Sequence, residues 1–357
     1  MKQNEGRREA LAAAAAAIAA TLVFLACQRL LEPKYMDEIY EGAMMREYYD
    51  EELSHDVIFV GDCEVYDNIS PVALWEGYGI TSYVRGGPNQ LAWQSYAIIE
   101  DTLKREKPKA LVFSVLALHQ GEPESEPYNR LNLDAMPLGT TKYRAVKASM
   151  TPGESVVDGL VPLLRYHSRW QDLNASDFTY FFNPDEVSFK GYMMRADVKP
   201  VGVIPRARRL QDYSLPETSM EYLDKMAALC KSQGVPLILY KAHSIYPHWY
   251  PEWDQQIKDW ASSNNAGYVN LLEVPEQTGI DLNTDTYDAG LHLNVYGAEK
   301  AALFLGKYLS ENYGMAGHRG EEAYEAEWGQ TALEYHEFKA LQERQVSTSG
   351  KISAFKR

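Results

Sequence analysis

Short strand-like runs, most of them rich in apolar residues, alternate along this chain with stretches whose apolar residues recur every three or four positions. The runs fall at 57–60, closed by Gly61; at 81–84, followed by Arg85-Gly86-Gly87-Pro88; and at 110–116, behind the turn Lys107-Pro108-Lys109. Two more lie at 235–240, after Gln233-Gly234, and at 267–271. Between and after them, helical periodicity covers 90–105, 222–232, 253–263 and 295–312. Strands that are apolar on both faces and are joined through amphipathic helices predict a parallel sheet covered on each side, because parallel strands need crossover connections. The fold class expected is α/β, a flavodoxin-like three-layer sandwich around a parallel central sheet. Such sheets bind ligands outside the carboxyl ends of their strands. Chemistry is therefore expected just after Val60, Val84, Leu116, Tyr240 and Leu271.

The alternation fails from 118 to 216, a polar, aromatic and proline-punctuated stretch without a clean period. It reads as an insertion, either a cap that serves function or a set of surface helices on the sheet edge; structureless segments of this length are uncommon otherwise. It holds Tyr128-Asn129-Arg130 and Arg165-Tyr166-His167-Ser168-Arg169-Trp170. Beyond Gly314 the chain is strongly charged, with one surface helix expected to about Glu343 and a disordered tail over 347–357.

The N-terminus changes the compartment. Residues 10–28 carry no charge and follow Lys2, Arg7 and Arg8, a length that suffices to cross a hydrocarbon core of about 30 Å. The segment reads as a signal anchor, with the basic side retained inside and the rest of the chain outside the cytoplasm. Cleavage is the alternative, since small residues admit a signal peptidase and Phe24-Leu25-Ala26-Cys27 resembles a lipoprotein box. The organisation expected is a cytoplasmic stub and anchor at 1–32, a helical juxtamembrane stalk at 33–54, an α/β domain at 55–314 with the insertion at 118–216, and a charged extension at 315–357. A formal net charge of −15 disfavours nucleic acid as a ligand.

Three cysteines do not make a disulfide scaffold. Cys27 lies in the anchor, and Cys230 shares a helical stripe with Leu223, Met226 and Leu229, which predicts a buried, inert thiol. Cys63 differs, because it stands in Gly61-Asp62-Cys63-Glu64 directly after the first apolar run. Near the other end, Asp288-Ala289-Gly290-Leu291-His292-Leu293-Asn294 precedes the last helix of the α/β pattern. No cluster has metal-ligand spacing and Gly86-Gly87-Pro88 is too short to cradle phosphate, so no cofactor and no metal are expected.

These two motifs resemble those of the SGNH/GDSL hydrolase family, which places Gly-Asp-Ser after its first strand and Asp-x-x-His before its C-terminal helix. Gly86-Gly87 resembles the family's second block. Within the family the chain is most similar to the membrane-anchored branch related to D-alanyl transfer and polysaccharide O-acetylation proteins, on its anchor, the pattern from Gly61 to Tyr66 and the run from His292 to Lys300. The resemblance implies an extracytoplasmic acyl esterase or O-acyltransferase, acting on an O-linked acyl group, acetyl by expectation, of a cell-envelope glycan or polymer. A multispanning membrane O-acyltransferase is the partner it implies. The alternative is a non-catalytic accessory that binds glycan or scaffolds such an acyltransferase.

Three departures matter. Cys63 stands where the family has serine. Three residues separate Asp288 from His292 instead of two, which leaves Asp285 as a second candidate orienter. The third strand leads into Ala117-Leu118-His119, without the family's asparagine block. The catalytic set expected is Cys63 as nucleophile, His292 as base and Asp288 as orienter, with a helix N-terminus lowering the thiol pKa. The oxyanion donors expected are the Cys63 and Gly86 amides with Asn89, or Asn129, replacing the missing asparagine. Asp62 is expected to tie down the turn and His243 to form a wall of the cleft.

Overall fold

The computed structural model describes residues 2–32, 41–123, 126–204, 206–353 and 355. The chain opens with helix α1 (Lys2–Leu31), whose alanine-rich sequence favours helix throughout. An 18-residue window within Gly6–Leu31 has a mean hydropathy of 2.4, and the helix is long and apolar enough to cross a membrane. A short helix α2 (Glu41–Glu47) and a 3₁₀ turn (Tyr48–Asp50) follow, then strand β1 (Val57–Gly61). Next come α3 (Cys63–Tyr66), α4 (Pro71–Tyr78), β2 (Ser82–Gly86), α5 (Ala92–Arg105) and β3 (Ala110–Ser114). The insertion contributes α6 (Glu126–Asp134), α7 (Thr140–Ala148), α8 (Val156–Leu160), α9 (Pro162–Tyr166) and α10 (Ala175–Phe182). The domain resumes with α11 (Glu217–Gln233), β4 (Leu237–Lys241), α12 (Pro251–Asn264), β5 (Gly267–Asn270), α13 (Pro275–Thr278) and α14 (Val295–Tyr313), and α15 (Glu322–Ser349) closes the chain.

All five strands pair in parallel, in the order β2-β1-β3-β4-β5. Successive side chains go to opposite faces. Ile58, Val60, Leu111, Phe113, Leu237 and Leu239 enter one core with α5, α11 and α12. Val57, Phe59, Ala110, Val112, Ile238 and Tyr240 enter the other with α4 and α14. Each aliphatic side chain buried in this way contributes about 1.5–3 kcal/mol, which is why strands apolar on both faces stay central. The α/β expectation and its five strands are borne out. Since the sheet grows from β1 to β2 and then reverses to β3, its topological switch lies between the ends of β1 and β3, where ligands bind in this architecture.

Two terminal segments differ from expectation. A free-standing stalk gives way, from Glu41 onward, to a packed part of the domain: Ala43, Met44, Met45 and Tyr48 are buried in the two cores. The physical reason is Arg85 on β2, fully buried, whose guanidinium sits 3.9 Å from the Tyr48 ring and donates to the Tyr49 hydroxyl and Asp101. Burying that cation requires such partners, and the 41–50 segment supplies two of them. Residues 33–40 lie outside the described residues. At the other end, α15 reaches Ser349, beyond the expected Glu343, and buries Trp328, Tyr335 and Gln342; Trp328 stacks on Trp75 of α4.

Candidate active site

The β1–α3 turn is built by Asp62, whose carboxylate accepts the Glu64 N–H at 3.1 Å and so caps α3, as expected. Glu64 is itself buried and bound on both oxygens. Lys241 Nζ and Ser244 Oγ donate to Oε1, while Ser114 Oγ (3.2 Å) and the Ala242 N–H (3.3 Å) donate to Oε2. This charge pair ties the turn after β1 to the carboxyl ends of β3 and β4, and leaves Cys63, half-buried, at its head. Gly86, paired with Gly61, closes the other side: a Cβ there would lie 2.6 Å from Val65 Cγ2 and 3.1 Å from the Asp62 carbonyl oxygen. Only glycine admits that approach.

The His292 loop is held independently. Asp288 Oδ2 lies 2.6 Å from His292 Nδ1 and its Oδ1 accepts the His292 N–H at 2.8 Å. The extra residue between them is absorbed by Ala289 and Gly290 at φ of 68° and 99°, which curl the loop so that Asp288 still reaches the ring. Thr286 fixes the curl, donating to the His292 carbonyl at 2.7 Å and accepting the Gly290 N–H at 2.8 Å. Asp285, the second candidate, is not the orienter, for its buried carboxylate is taken by Lys300 (2.6 Å) and the Asp281 N–H (2.8 Å).

The two halves meet through the residues after α3. Asn68 Oδ1 accepts the Leu293 N–H at 2.7 Å, and Asp67 Oδ2 lies 3.8 Å from His292 Nε2 while its own N–H donates to the Cys63 carbonyl at 3.1 Å. The Tyr287 ring lies parallel to the imidazole at 5.6 Å, and Arg195 covers the Tyr287 ring at 4.6 Å. Among the described residues, His292 Nε2 and Asn68 Nδ2, both buried, have no hydrogen-bond partner.

Electrostatics correct one expectation. Burial raises the Cys63 thiol well above its ordinary value, and the carboxylates of Asp62, Asp67 and Glu64 add to the rise. A helix of four residues has too little dipole to oppose them. The resting sulfur is a thiol. Burial lowers His292, but Asp67 and Asp288 outweigh it and bring the imidazole to about 9. Asp67 is pushed up by burial to about 6, and Asp62 by burial and Glu64 to about 7.

Neither a family model nor a curated protein matches the chain. Among solved structures it is similar to a candidate acylhydrolase from Bacteroides fragilis, at a TM-score of 0.37 and 10% identity, over 75% of this chain and 95% of that one. The site is therefore read from its own geometry.

Of the remaining expected residues, Asn89 is exposed in a left-handed conformation (φ 47°) after the Gly86-Gly87 turn. Asn129 is withdrawn as an oxyanion donor, because its amide bonds the Ser149 carbonyl (3.1 Å) and its oxygen accepts from Gln94 (3.0 Å). His243 is buried, with a pKa lowered by burial and by Lys241, in keeping with a wall position. Cys230 is buried, its thiol pushed up to about 12 by burial, and all three cysteines are free. Sequence reasoning missed Asp67, Asn68, Tyr287 and Arg195. It also missed the strap formed by residues 187–201, which bonds β2 through Lys190, α3 through Met193 and the His292 loop through Lys199. Asp67 and Asn68 stood within a turn of Cys63 in the sequence; the strap has no periodicity by which to find it.

Proposed function

We propose that this protein is an extracytoplasmic acyl esterase or O-acyltransferase that works through Cys63 and His292 on an O-linked acyl group of a cell-envelope glycan or polymer. The observation that carries the reading is an imidazole fixed by Asp288 at Nδ1, with Nε2 turned toward Asp67, in the same carboxylate-lined cluster as the thiol at the switch point of the sheet. In the acylation step Cys63 Sγ bonds to the ester carbonyl carbon as its proton passes to His292 Nε2, and the carbonyl electron pair moves onto oxygen. The Cys63 and Gly86 amides, with Asn89, would face that oxygen. Collapse breaks the ester C–O bond, and the leaving alkoxide takes the proton back from Nε2. Water or an acceptor hydroxyl then repeats the cycle on the thioester, which releases the acid or transfers the acyl group. Because the resting sulfur is protonated, base and nucleophile must act together.

The membrane-spanning length of α1 and the basic residues before it support an extracytoplasmic domain with a single pass. A membrane-bound O-acyltransferase partner is part of this proposal. The raised thiol pKa favours, as second reading, an accessory that uses the same cleft only to bind glycan or to scaffold that partner. Hydrolysis of a small acetyl ester by the purified full chain separates them: Cys63→Ala abolishes turnover in an enzyme, whereas undiminished hydrolysis in that variant overturns Cys63 as the nucleophile.

A further inference from the structure

The insertion exposes apolar side chains at several places, among them Val157, Val203 and Ile204, and its exposed aromatic rings near α1 form one group. Trp170 is 65% exposed, Phe182 81%, Phe178 49% and Leu164 49%. They belong to α9, α10 and the 3₁₀ turn between them (His167–Gln171), the elements of the insertion that pack against α1. Three of the four adjoin a residue bound to, or linked with, the last turn of that helix. Arg169, next to Trp170, donates to the Leu31 carbonyl at 2.8 Å, and it pairs with Asp177, next to Phe178, at 3.1 Å. Phe181, next to Phe182, lies under the Arg29 guanidinium at 5.5 Å. Arg165, next to Leu164, is drawn to Asp134 and to the Asp158 carbonyl. The local cations thus turn toward protein partners while the aromatic rings are left to the outside.

We infer that α9, α10 and the turn between them form a bilayer-seating surface, with Trp170, Phe178, Phe182 and Leu164 entering the membrane interface around the exit of α1. The inference rests on α1 spanning the membrane. It goes beyond that reading, because an anchor alone asks nothing of the insertion. Leu31 is the last residue of both α1 and the apolar span, so elements hydrogen-bonded to it stand at headgroup level. An aromatic residue with one polar edge is favoured at that depth, and phenylalanine and leucine gain by burial in the acyl boundary. A protein partner or a second copy could also cover such a patch; continuity with the exit of the span favours lipid.

The test uses full-length protein in phosphatidylcholine vesicles, with or without lipid brominated near the headgroup. Emission of Trp170 is taken as the difference between wild type and Trp170→Phe, a change at an exposed position. Brominated lipid should reduce that difference about two-fold or more and leave the emission of Trp170→Phe nearly unchanged, as for a ring at the interface. Phe182→Trp in the Trp170→Phe background should restore quenching. If wild type and Trp170→Phe are quenched alike and Phe182→Trp adds nothing, the seating is wrong and the patch faces protein. Flotation after an alkaline wash separates the two readings. Protein that floats without Trp170 quenching overturns the seating alone, while protein that fails to float overturns the span as well.

Discussion

A single carboxylate, that of Asp288, holds His292 at two points, the ring nitrogen at 2.6 Å and the backbone N–H at 2.8 Å. Asp288→Asn keeps the shape but presents an amide to Nδ1, which favours the wrong tautomer; in Ser-His-Asp sites this substitution costs about 10⁴ in kcat. We expect a loss of about 10²–10⁴ in acetyl-ester turnover with little change in melting temperature. Asp285→Asn should disturb stability through Lys300 and leave the imidazole in place. Equal kinetic losses in both variants would show that the orienter has been misassigned.

The pH dependence follows from His292. The base form of Nε2 accepts the thiol proton, and with a pKa of about 9 that form grows as pH rises toward 9. Turnover should therefore climb from pH 7 to 9. Asp67 gives the largest single upward contribution, beside those of Asp288 and Asp62, so in Asp67→Asn the ascending limb should move down toward the ordinary histidine value of about 6.5. The linked stability has a definite sign. A folded pKa raised above the unfolded value stabilises fully below about 6.5, and the contribution is lost as pH rises through about 9. Melting temperatures of wild type and His292→Asn, measured across that window, should converge at its alkaline end.

Cys63→Ser restores the hydroxyl usual in the resembled family but asks a weaker acid to lose its proton among three carboxylates. We expect it to retain little activity, about a hundredth of wild type or less. Mass-spectrometric mapping of alkylation should show Cys63, half-buried, modified before buried Cys230, and only slowly at pH 7 because the thiol stays protonated. Rapid modification at pH 7 would mean that the thiolate is already formed.

Lys241 and Glu64, both buried, form the charge pair under the β1–α3 turn. Lys241→Met leaves Glu64 with Ser244, Ser114 and a backbone N–H but no counter-charge, at a cost of about 3–5 kcal/mol. That is much of the stability of an ordinary domain. Lys241→Met combined with Glu64→Gln should recover part of it in denaturant melts, and a double variant no better than the single would argue against the pair.

The sheet was legible because its central strands β1, β3 and β4 are apolar on both faces, and burial alone then dictates where they lie. Cys63, His292 and Asp288 were legible because residues that end strands or start helices fall at the ligand edge of such a sheet. Their electrostatics were not. The thiol was expected to be lowered by a helix terminus; the carboxylates of Asp62, Glu64 and Asp67 stand beside it in the sequence, but the burial that raises the thiol is set only in three dimensions. The 41–50 segment was misread for a related reason: its charges suggested solvent, but Arg85 is buried and takes Tyr48 and Tyr49 as partners. Nothing local to residues 41–50 announces a cation on β2.

Arg169 grips the Leu31 carbonyl, and from Glu41 the chain is already core. With α1 in a bilayer, the domain sits on its anchor instead of swinging from it. A domain on a long leash can search a volume set by the leash; so seated, this one would be confined to a thin layer beside the membrane. Under the proposed function any polymer it modifies would have to pass that layer, so lengthening the connection to α1 should change which substrates are met without altering a single atom of the cleft.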